Sequence, residues 1–350
     1  MAYTTINKSK AHFLAKKYVG NGGTLNVTGM DFQPDFSWLK CLGIGYHHAL
    51  FDVARGVGNR LYSNLSSAQQ TATSEGVTAF NSDGVTVVQG STYEYNNNSV
   101  DYASWNWKGG GTASSNSDGS ITSTVSANPT AGFSIVKWTS GSSGANTDTI
   151  GHGLNAVPKL IIIKTYDATD SLVVYHASLG AGKHLVLNNT NAHSTNADIF
   201  PTTPTSSVFY AGSTATTNGS SRSYVAYCFA EKTGYCKIGS WIGNSNSNGT
   251  FIYTGFRPQF ILQKRDYAGG WWVLTDELRE KAFNPTTTEH PSAQDTSVET
   301  TGANYARDLL SNGFKQRGVG DNFNNSNSTY YYIAIGQSLV GSNNVPCTAR

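Results

Sequence analysis

The sequence predicts an all-β protein: three tandem, related antiparallel β domains of sandwich or meander type, preceded by a short N-terminal arm. Three observations carry that expectation. One strand motif occurs three times, as Met30–Lys40, Leu154–Lys164 and Gly255–Lys264. In each copy a proline (Pro34, Pro158, Pro258) is followed at alternate positions by apolar residues, Phe36 and Trp38, Leu160 and Ile162, Phe260 and Leu262, and then by Lys40, Lys164 or Lys264. Period-two alternation after a residue without a backbone donor describes a β-strand. A second strand ends at Asp52, His176 and Asp276, each 18 residues after its proline, so the connection has constant length and the pairing a set register. Finally, only 13% of residues are charged and 12% are aromatic, while Gly, Ser, Thr and Asn crowd the connections, the make-up of short strands joined by polar turns.

Along the chain, residues 1–17 read as the arm, 18–108 as the first repeat, 109–132 as a Gly/Ser/Thr-rich linker with part of an edge strand, 133–232 as the second repeat, 233–338 as the third and 339–350 as a tail. Residues 4–17 read as one short helix, marginal in isolation, that orders when it docks. Each repeat opens with an aromatic residue before a glycine turn (Tyr18, Trp138, Trp241) and a short returning strand, which predicts a β-hairpin. Simple antiparallel pairing then sets His176 near Leu160 or Ile161, at the far end from Lys164. This argues against ion pairs between Lys40 and Asp52 or between Lys264 and Asp276. Asp83-Gly84 and Asn312-Gly313 are turn dipeptides entering a strand. Each repeat closes on an aromatic strand beginning at Tyr102, Tyr224 or Tyr330, and the face carrying Trp105 and Trp107, or Tyr227 and Phe229, reads as core.

The net charge of +2 and the dispersal of the 24 basic residues exclude the basic stripe of a phosphate-backbone binder, so no nucleic-acid partner is expected. The one local cluster, Lys8, Lys10, Lys16 and Lys17, reads as a solvated face or, more sharply, as an anchor to an acidic surface. Cys41, Cys228, Cys236 and Cys347 form no Cys-x-x-Cys pair and read as free thiols. No apolar run approaches the roughly 20 residues that span a bilayer, and no signal core is present, so membrane insertion is not expected and folding is assigned to the cytoplasm.

The stretches His47-His-Ala-Leu-Phe-Asp-Val-Ala-Arg-Gly, Arg60-Leu-Tyr-Ser-Asn-Leu, Asp118-Gly-Ser-Ile-Thr-Ser-Thr-Val-Ser-Ala-Asn, Ser223-Tyr-Val-Ala-Tyr-Cys-Phe-Ala-Glu, Tyr253-Thr-Gly-Phe-Arg-Pro and Gly336-Gln-Ser-Leu-Val-Gly-Ser-Asn-Asn-Val-Pro resemble repeat-bearing, tail-fibre-like or virion structural proteins of marine bacteriophages. The resemblance covers nearly the whole chain. It implies a non-enzymatic virion protein, folded in the host cytoplasm, that contributes to host attachment. The implied partners are other virion proteins, further copies of itself with a trimer favoured, and a host surface glycan or protein. One segment departs from the pattern: Trp271-Trp-Val-Leu-Thr-Asp-Glu-Leu-Arg stands where similar copies read Tyr-Asp-x-x-Arg.

Two other classes of function stand beside this one. Glycan hydrolysis needs two facing carboxylates, and Asp52, Asp276, Glu277 and Glu280 are candidates, yet two of them recur at equivalent repeat positions, which favours a role in the fold. His47 and His48 are adjacent and point to opposite faces on a strand, against a shared metal, and no Gly-x-Ser-x-Gly elbow is present. No cofactor, metal or catalytic residue is assigned. Binding is the stronger reading. The candidate interaction residues are Trp271 and Trp272, one of which alternation turns outward, the amide-rich loop Asn96, Asn97 and Asn98 with Tyr93 and Tyr95 beside it, and Lys8 and Lys10 in the arm.

Overall fold

The computed structural model describes residues 4–91, 94–141, 145–279 and 288–340. The first repeat contributes β1 (Phe13–Val19), β2 (Thr24–Val27), β3 (Phe36–Cys41), β4 (Ala49–Asp52), β5 (Asn59–Tyr62), β6 (Gln70–Thr71), β7 (Gly76–Asn81), β8 (Gly84–Val88) and β9 (Asp101–Trp107). They form a large sheet ordered β1-β9-β3-β4-β5-β6 and a small sheet ordered β2-β8-β7.

The next stretch of chain contributes β10 (Ser114–Asn116), β11 (Ser123–Asn128), β12 (Phe133–Thr139), β13 (Thr149–Gly151), β14 (Pro158–Thr165), β15 (Val173–His176), β16 (Lys183–Val186), β17 (Ser194–Thr195), β18 (Val208–Tyr210) and β19 (Ser223–Ala230). Its sheets are β10-β11-β12-β19-β14-β15-β16-β17 and β13-β18. The last stretch contributes β20 (Cys236–Ile242), β21 (Phe251–Tyr253), β22 (Arg257–Arg265), β23 (Trp272–Asp276), β24 (Thr288–His290), β25 (Thr300–Gly302), β26 (Arg307–Leu310), β27 (Gly313–Gln316) and β28 (Thr329–Gln337). These give β20-β28-β22-β23, β21-β27-β26 and the ribbon β24-β25. No helix among the described residues is long and apolar enough to cross a membrane.

The proline motif forms β3, β14 and β22, and the observed partners are Phe36 with Asp52, Leu160 with His176 and Phe260 with Asp276. The expected register therefore holds in all three copies. Both faces of these strands are buried. Odd-numbered Leu39, Ile161 and Ile163, and Ile261 enter separate cores between each large sheet and its small sheet. The even-numbered stripe, Phe36 and Trp38, Leu160 and Ile162, Phe260 and Leu262, enters one cluster that contains residues from all three repeats. Each copy is thus a two-sheet sandwich whose second buried face is closed by the other two copies.

Internal equivalences run deep. Tyr18 stacks on Tyr102, Trp138 on Tyr224 and Trp241 on Tyr330, with centroids 5.1, 5.1 and 4.9 Å apart. Each of these tyrosine hydroxyls accepts a hydrogen bond from the backbone N–H five residues upstream, at Asn97, Gly219 or Asn325. The turn residue between them, Ser99, Ser221 or Asn327, has φ near 60°. The turn glycines are held by close approach: a Cβ on Gly84 or Gly313 would lie 2.0 Å from Val27 O or 2.1 Å from Ile252 O.

Three expectations are corrected. Residues 4–17 do not form a helix: one 3-10 turn (Ser9–Ala11) leads into β1, which pairs along its length with β9. The open edge of β9 supplies a complete ladder of backbone partners, which outweighs a marginal helical preference. The arm docks within the chain, with Ile6 buried in the shared core and Ser9 bonded to Gln337 and Gln259. The aromatic-glycine opening is not a hairpin, because β1 pairs with β9 whereas β2 pairs with β8. The glycine turn instead carries the chain from one sheet of the sandwich to the other. Residues 109–132 are not a free linker: β11 pairs with β12 from Thr124–Lys137 to Asn128–Phe133 and extends the second large sheet.

Candidate interaction surface

The lysines at the end of the inward stripe are buried and join neighbouring repeats. Lys40 Nζ donates to Tyr46 O in its own loop and to Thr296 O in the third repeat, at 2.7 and 3.1 Å. Lys164 donates to Ala168 O and Asp170 O, and to Ser66 O of the first repeat at 2.9 Å. Lys264 donates to Gly270 O, and to Thr190 O of the second repeat at 3.3 Å. Each copy therefore clasps its predecessor, in a closed cycle that approximates a threefold axis.

The opposite end of the stripe closes the cycle in the other sense. Asp52 accepts from Arg55 Nε at 2.6 Å and from Tyr227 OH of the second repeat at 2.8 Å. Asp276 accepts from Arg279 Nε at 2.7 Å and from Trp105 Nε1 of the first repeat at 2.8 Å. Burial opposes the charge on both guanidiniums, but the adjacent Asp52 and Asp276 carboxylates hold them above the ordinary arginine value. In the third repeat the register equivalent of Tyr227 and Trp105 is Ile333, whose side chain has no donor, and in the second repeat the acid–arginine pair is replaced by His176 and Leu179. His176 Nδ1 accepts from Ser178 N–H and its Nε2 lies 3.3 Å from Tyr332 O. The segment that departs from the family pattern in sequence thus restores the same Asp-x-x-Arg geometry, through Asp276 and Arg279.

These buried groups set the response to pH. Desolvation lowers the His176 imidazole to about 4 and holds His48 well below its ordinary value. The unfolded chain takes up these protons as pH falls through about 6.5, whereas folded His176 refuses its proton until about 4 and folded His48 is likewise held neutral below the ordinary range. Stability is therefore present above pH 6.5 and is lost as pH falls from 6.5 toward 4. Burial also lowers Lys40 and Lys164 to about 8 and Lys264 to about 7. At these three lysines the unfolded state holds more protons than the folded state between pH 7 and about 10, so their contribution to stability grows with pH across that interval, while the buried Cys228 and Cys236 thiols, pushed above their ordinary value of 9.0 by desolvation, oppose it from about pH 9 upward. A melting temperature that rises from pH 4 to 6.5, with a shallower rise in His176→Gln, is the expected result; an unchanged slope in the variant would remove His176 from this account.

The expected interaction residues scatter. Trp272 is buried, its ring at the junction of repeats, with Nε1 donating to Val186 O at 2.8 Å. Trp271 precedes the strand and is half-buried, its N–H held by Asn322. Asn96 is fully buried and its amide bonds to Asn21 Oδ1 and Gly23 O. Asn218 and Asn324 stand in the same place six residues before the stacked tyrosine, and tie down the loops at Asp148 and Asn244. Asn96 is thus a repeat position of the fold, and of the three only Asn98 is exposed, with Asn97 half-buried. Tyr95 is buried and Tyr93 lies outside the described residues. Lys8 is exposed and paired with Asp31 at 2.5 Å, and exposed Lys10 borders a shallow cleft with Phe13, Gln259, Glu277 and Leu278. His48 accepts from Trp38 Nε1, whereas His47 contacts Asn64 and faces Tyr62. Cys41, Cys228 and Cys236 are free and buried; Cys347 and Glu280 fall outside the described residues.

Sequence reasoning passed over two features. In the first repeat Arg60 holds Glu75 at 2.5 Å while Glu94 accepts from Tyr62 OH and Tyr95 OH. Burial pushes the Tyr62 phenol up to about 12, and both carboxylates are engaged by donors. In the third repeat Ile242, Phe251 and Tyr253 are 61%, 43% and 59% exposed. Register places Phe251 where the other repeats have Asn26 and Thr149, since Ile252, Val27 and Ile150 are the buried residues beside them, paired with Phe314, Val85 and Phe209. That disagreement between copies was readable in the sequence once the strands were aligned on the turn glycines.

No match was found among curated proteins. A family profile described as a domain of unknown function, DUF7483, matches residues 8–338, and the chain belongs to that family.

Proposed function

We propose that the protein is a non-enzymatic structural component of a bacteriophage virion, tail-fibre-like or tail-associated, that contributes to host attachment. The observation that supports this reading best is the closed cycle of three sandwiches. Lysine clasps at one end and Asp–Arg or His contacts at the other fix their relative positions, so loops and strand edges on the outside sit on a rigid body. Of the four candidate acids for glycan hydrolysis, Asp52, Asp276 and Glu277 are bonded to Arg55 and Tyr227, to Arg279 and Trp105, and to Gln259, and Glu280 lies outside the described residues. The resemblance to virion proteins supplies the setting, with other virion proteins as docking partners and homo-oligomers, a trimer first among them, multiplying weak contacts with a host glycan or protein.

Gold-labelled antibody against the protein is expected to decorate purified particles at the distal tail. Decoration at capsid vertices would replace attachment with a capsid-decoration role, and absence of the protein from particles would end the virion reading. New reducing ends released from host polysaccharide by the purified protein would establish the degradative alternative.

A further inference from the structure

The flank of the second sandwich shows how this fold accepts an added strand. There the chain's own residues 114–128 close the open side formed by β12 and β13. β11 pairs with β12, Ile121 N–H donates to Thr149 O, Ser120 and Thr149 exchange side-chain and backbone bonds, and Ser123 Oγ reaches Gly151 O. Both sheet edges are covered by one extended, Ser/Thr-rich segment whose residues 112–128 carry a single charge, Asp118.

The equivalent flanks of the other two repeats have no such cover among the described residues, and they differ in chemistry. In the first repeat the edge bears Lys16 and Lys17, the latter paired with Asp101 at 2.8 Å, and polar Thr24 and Asn26. Charges on an edge strand oppose further pairing. In the third repeat the stretch Ile238–Tyr253 contains no charged residue at all. Ser240 replaces the lysine of the other copies (Lys17, Lys137), and Phe251 and Tyr253 are exposed.

Among the described residues the backbone there is available. Cys236 exchanges bonds with Lys232 on the side away from β28, so alternate residues Ile238, Ser240 and Ile242 also direct their main-chain groups outward. Glu231 takes the Ile238 N–H and Thr250 takes Ile242 O, whereas the N–H and C=O of Ser240, Phe251 and Tyr253 have no partner among the described residues.

We propose that this flank, β20 from Ile238 onward with β21, is a strand-acceptor site for an extended, nearly uncharged Ser/Thr-rich segment of another protein chain, bound as residues 114–128 are bound on the second repeat. Main-chain pairing to Ser240 supplies the ladder, and Phe251 and Tyr253 supply apolar cover. A charged segment would meet no counter-charge within Ile238–Tyr253, since Glu231 and Lys237 beside it pair with each other at 2.9 Å and Lys315 donates to Asn248, and the first repeat, with its lysines, is closed to the same partner. The site stands on strand geometry and does not depend on the virion reading.

The test uses the full-length protein and a labelled synthetic peptide of residues 112–128, followed by fluorescence anisotropy. Saturable binding is expected, weakened at least tenfold in Ser240→Pro, which removes the outward N–H at an edge position. The same loss is expected in the double variant Ser240→Lys with Phe251→Asn, which borrows residues the other repeats already carry. Circular dichroism verifies folding, and if the proline variant fails to fold the double variant decides. Absence of saturable binding to the wild type overturns the proposal, as does binding that survives the double variant, which would indicate exchange at the second repeat. Light scattering that shows a dimer abolished by the double variant would also overturn it, in favour of a second copy pairing edge to edge.

Discussion

Replacing Arg55 with alanine is expected to lower the free energy of unfolding by about 3–5 kcal/mol, measured by urea denaturation, because Asp52 would remain buried without its counter-charge. Arg55 uses its Nε on Asp52 and its Nη2 on Leu50 O and Tyr227 OH, so the substitution also strands a carbonyl and loosens the contact with the second repeat. Arg279→Ala should behave alike, since Arg279 repeats the bonds to Asp276 and Leu274 O. The protein supplies its own control in His176, Leu179 and Ile333, a neutral solution to the same packing problem. The triple substitution Asp52→His, Arg55→Leu and Tyr227→Ile should recover most of the stability that Arg55→Ala loses. A loss below about 1 kcal/mol for Arg55→Ala would show that the pair is not desolvated in the way described.

Trp107→Ala is expected to cost about 3–5 kcal/mol and to destabilise all three repeats together. The Trp107 ring lies 4.9 Å from Phe13, 5.1 Å from Phe36, 6.3 Å from Phe133, 6.2 Å from Phe229 and 5.4 Å from Phe260, so one side chain touches every copy. It borders an apolar cavity of about 20 Å³ on the common axis, which the truncation would enlarge. Trp107→Phe, which keeps an aromatic ring in the site, should cost less than about 1.5 kcal/mol. Calorimetry that resolved separate transitions for the repeats in the alanine variant, with two of them unmoved, would contradict a shared core.

Much of the candidate surface was illegible in sequence for a simple reason: internal repetition hides which copies of a residue are fold and which are free. Asn96 looked like part of an adaptable loop, yet Asn218 and Asn324 hold the same place, and all three are buried under loops that they tie down. Trp271 and Trp272 looked like an alternating pair with one ring outward. The strand begins only at Trp272, which turns to the axis, while Trp271 belongs to the preceding turn. The exposed aromatics that set the third repeat apart, Phe251 and Tyr253, stood inside a stretch whose alternation reads as ordinary strand.

The sequence alone determined the all-β class, the threefold repetition and the register of the central strand pair. Those rest on short-range quantities, namely period-two alternation, proline placement and a constant loop length, which act within a few tens of residues. Only the tertiary structure decided that β1 is a strand rather than a helix, that residues 114–128 belong to the second sandwich, and that the three inward stripes meet in one core. Each of those outcomes depends on which distant backbone edge or apolar face is left unsatisfied, and a free edge or an uncovered stripe is filled by whatever segment the closed cycle brings beside it.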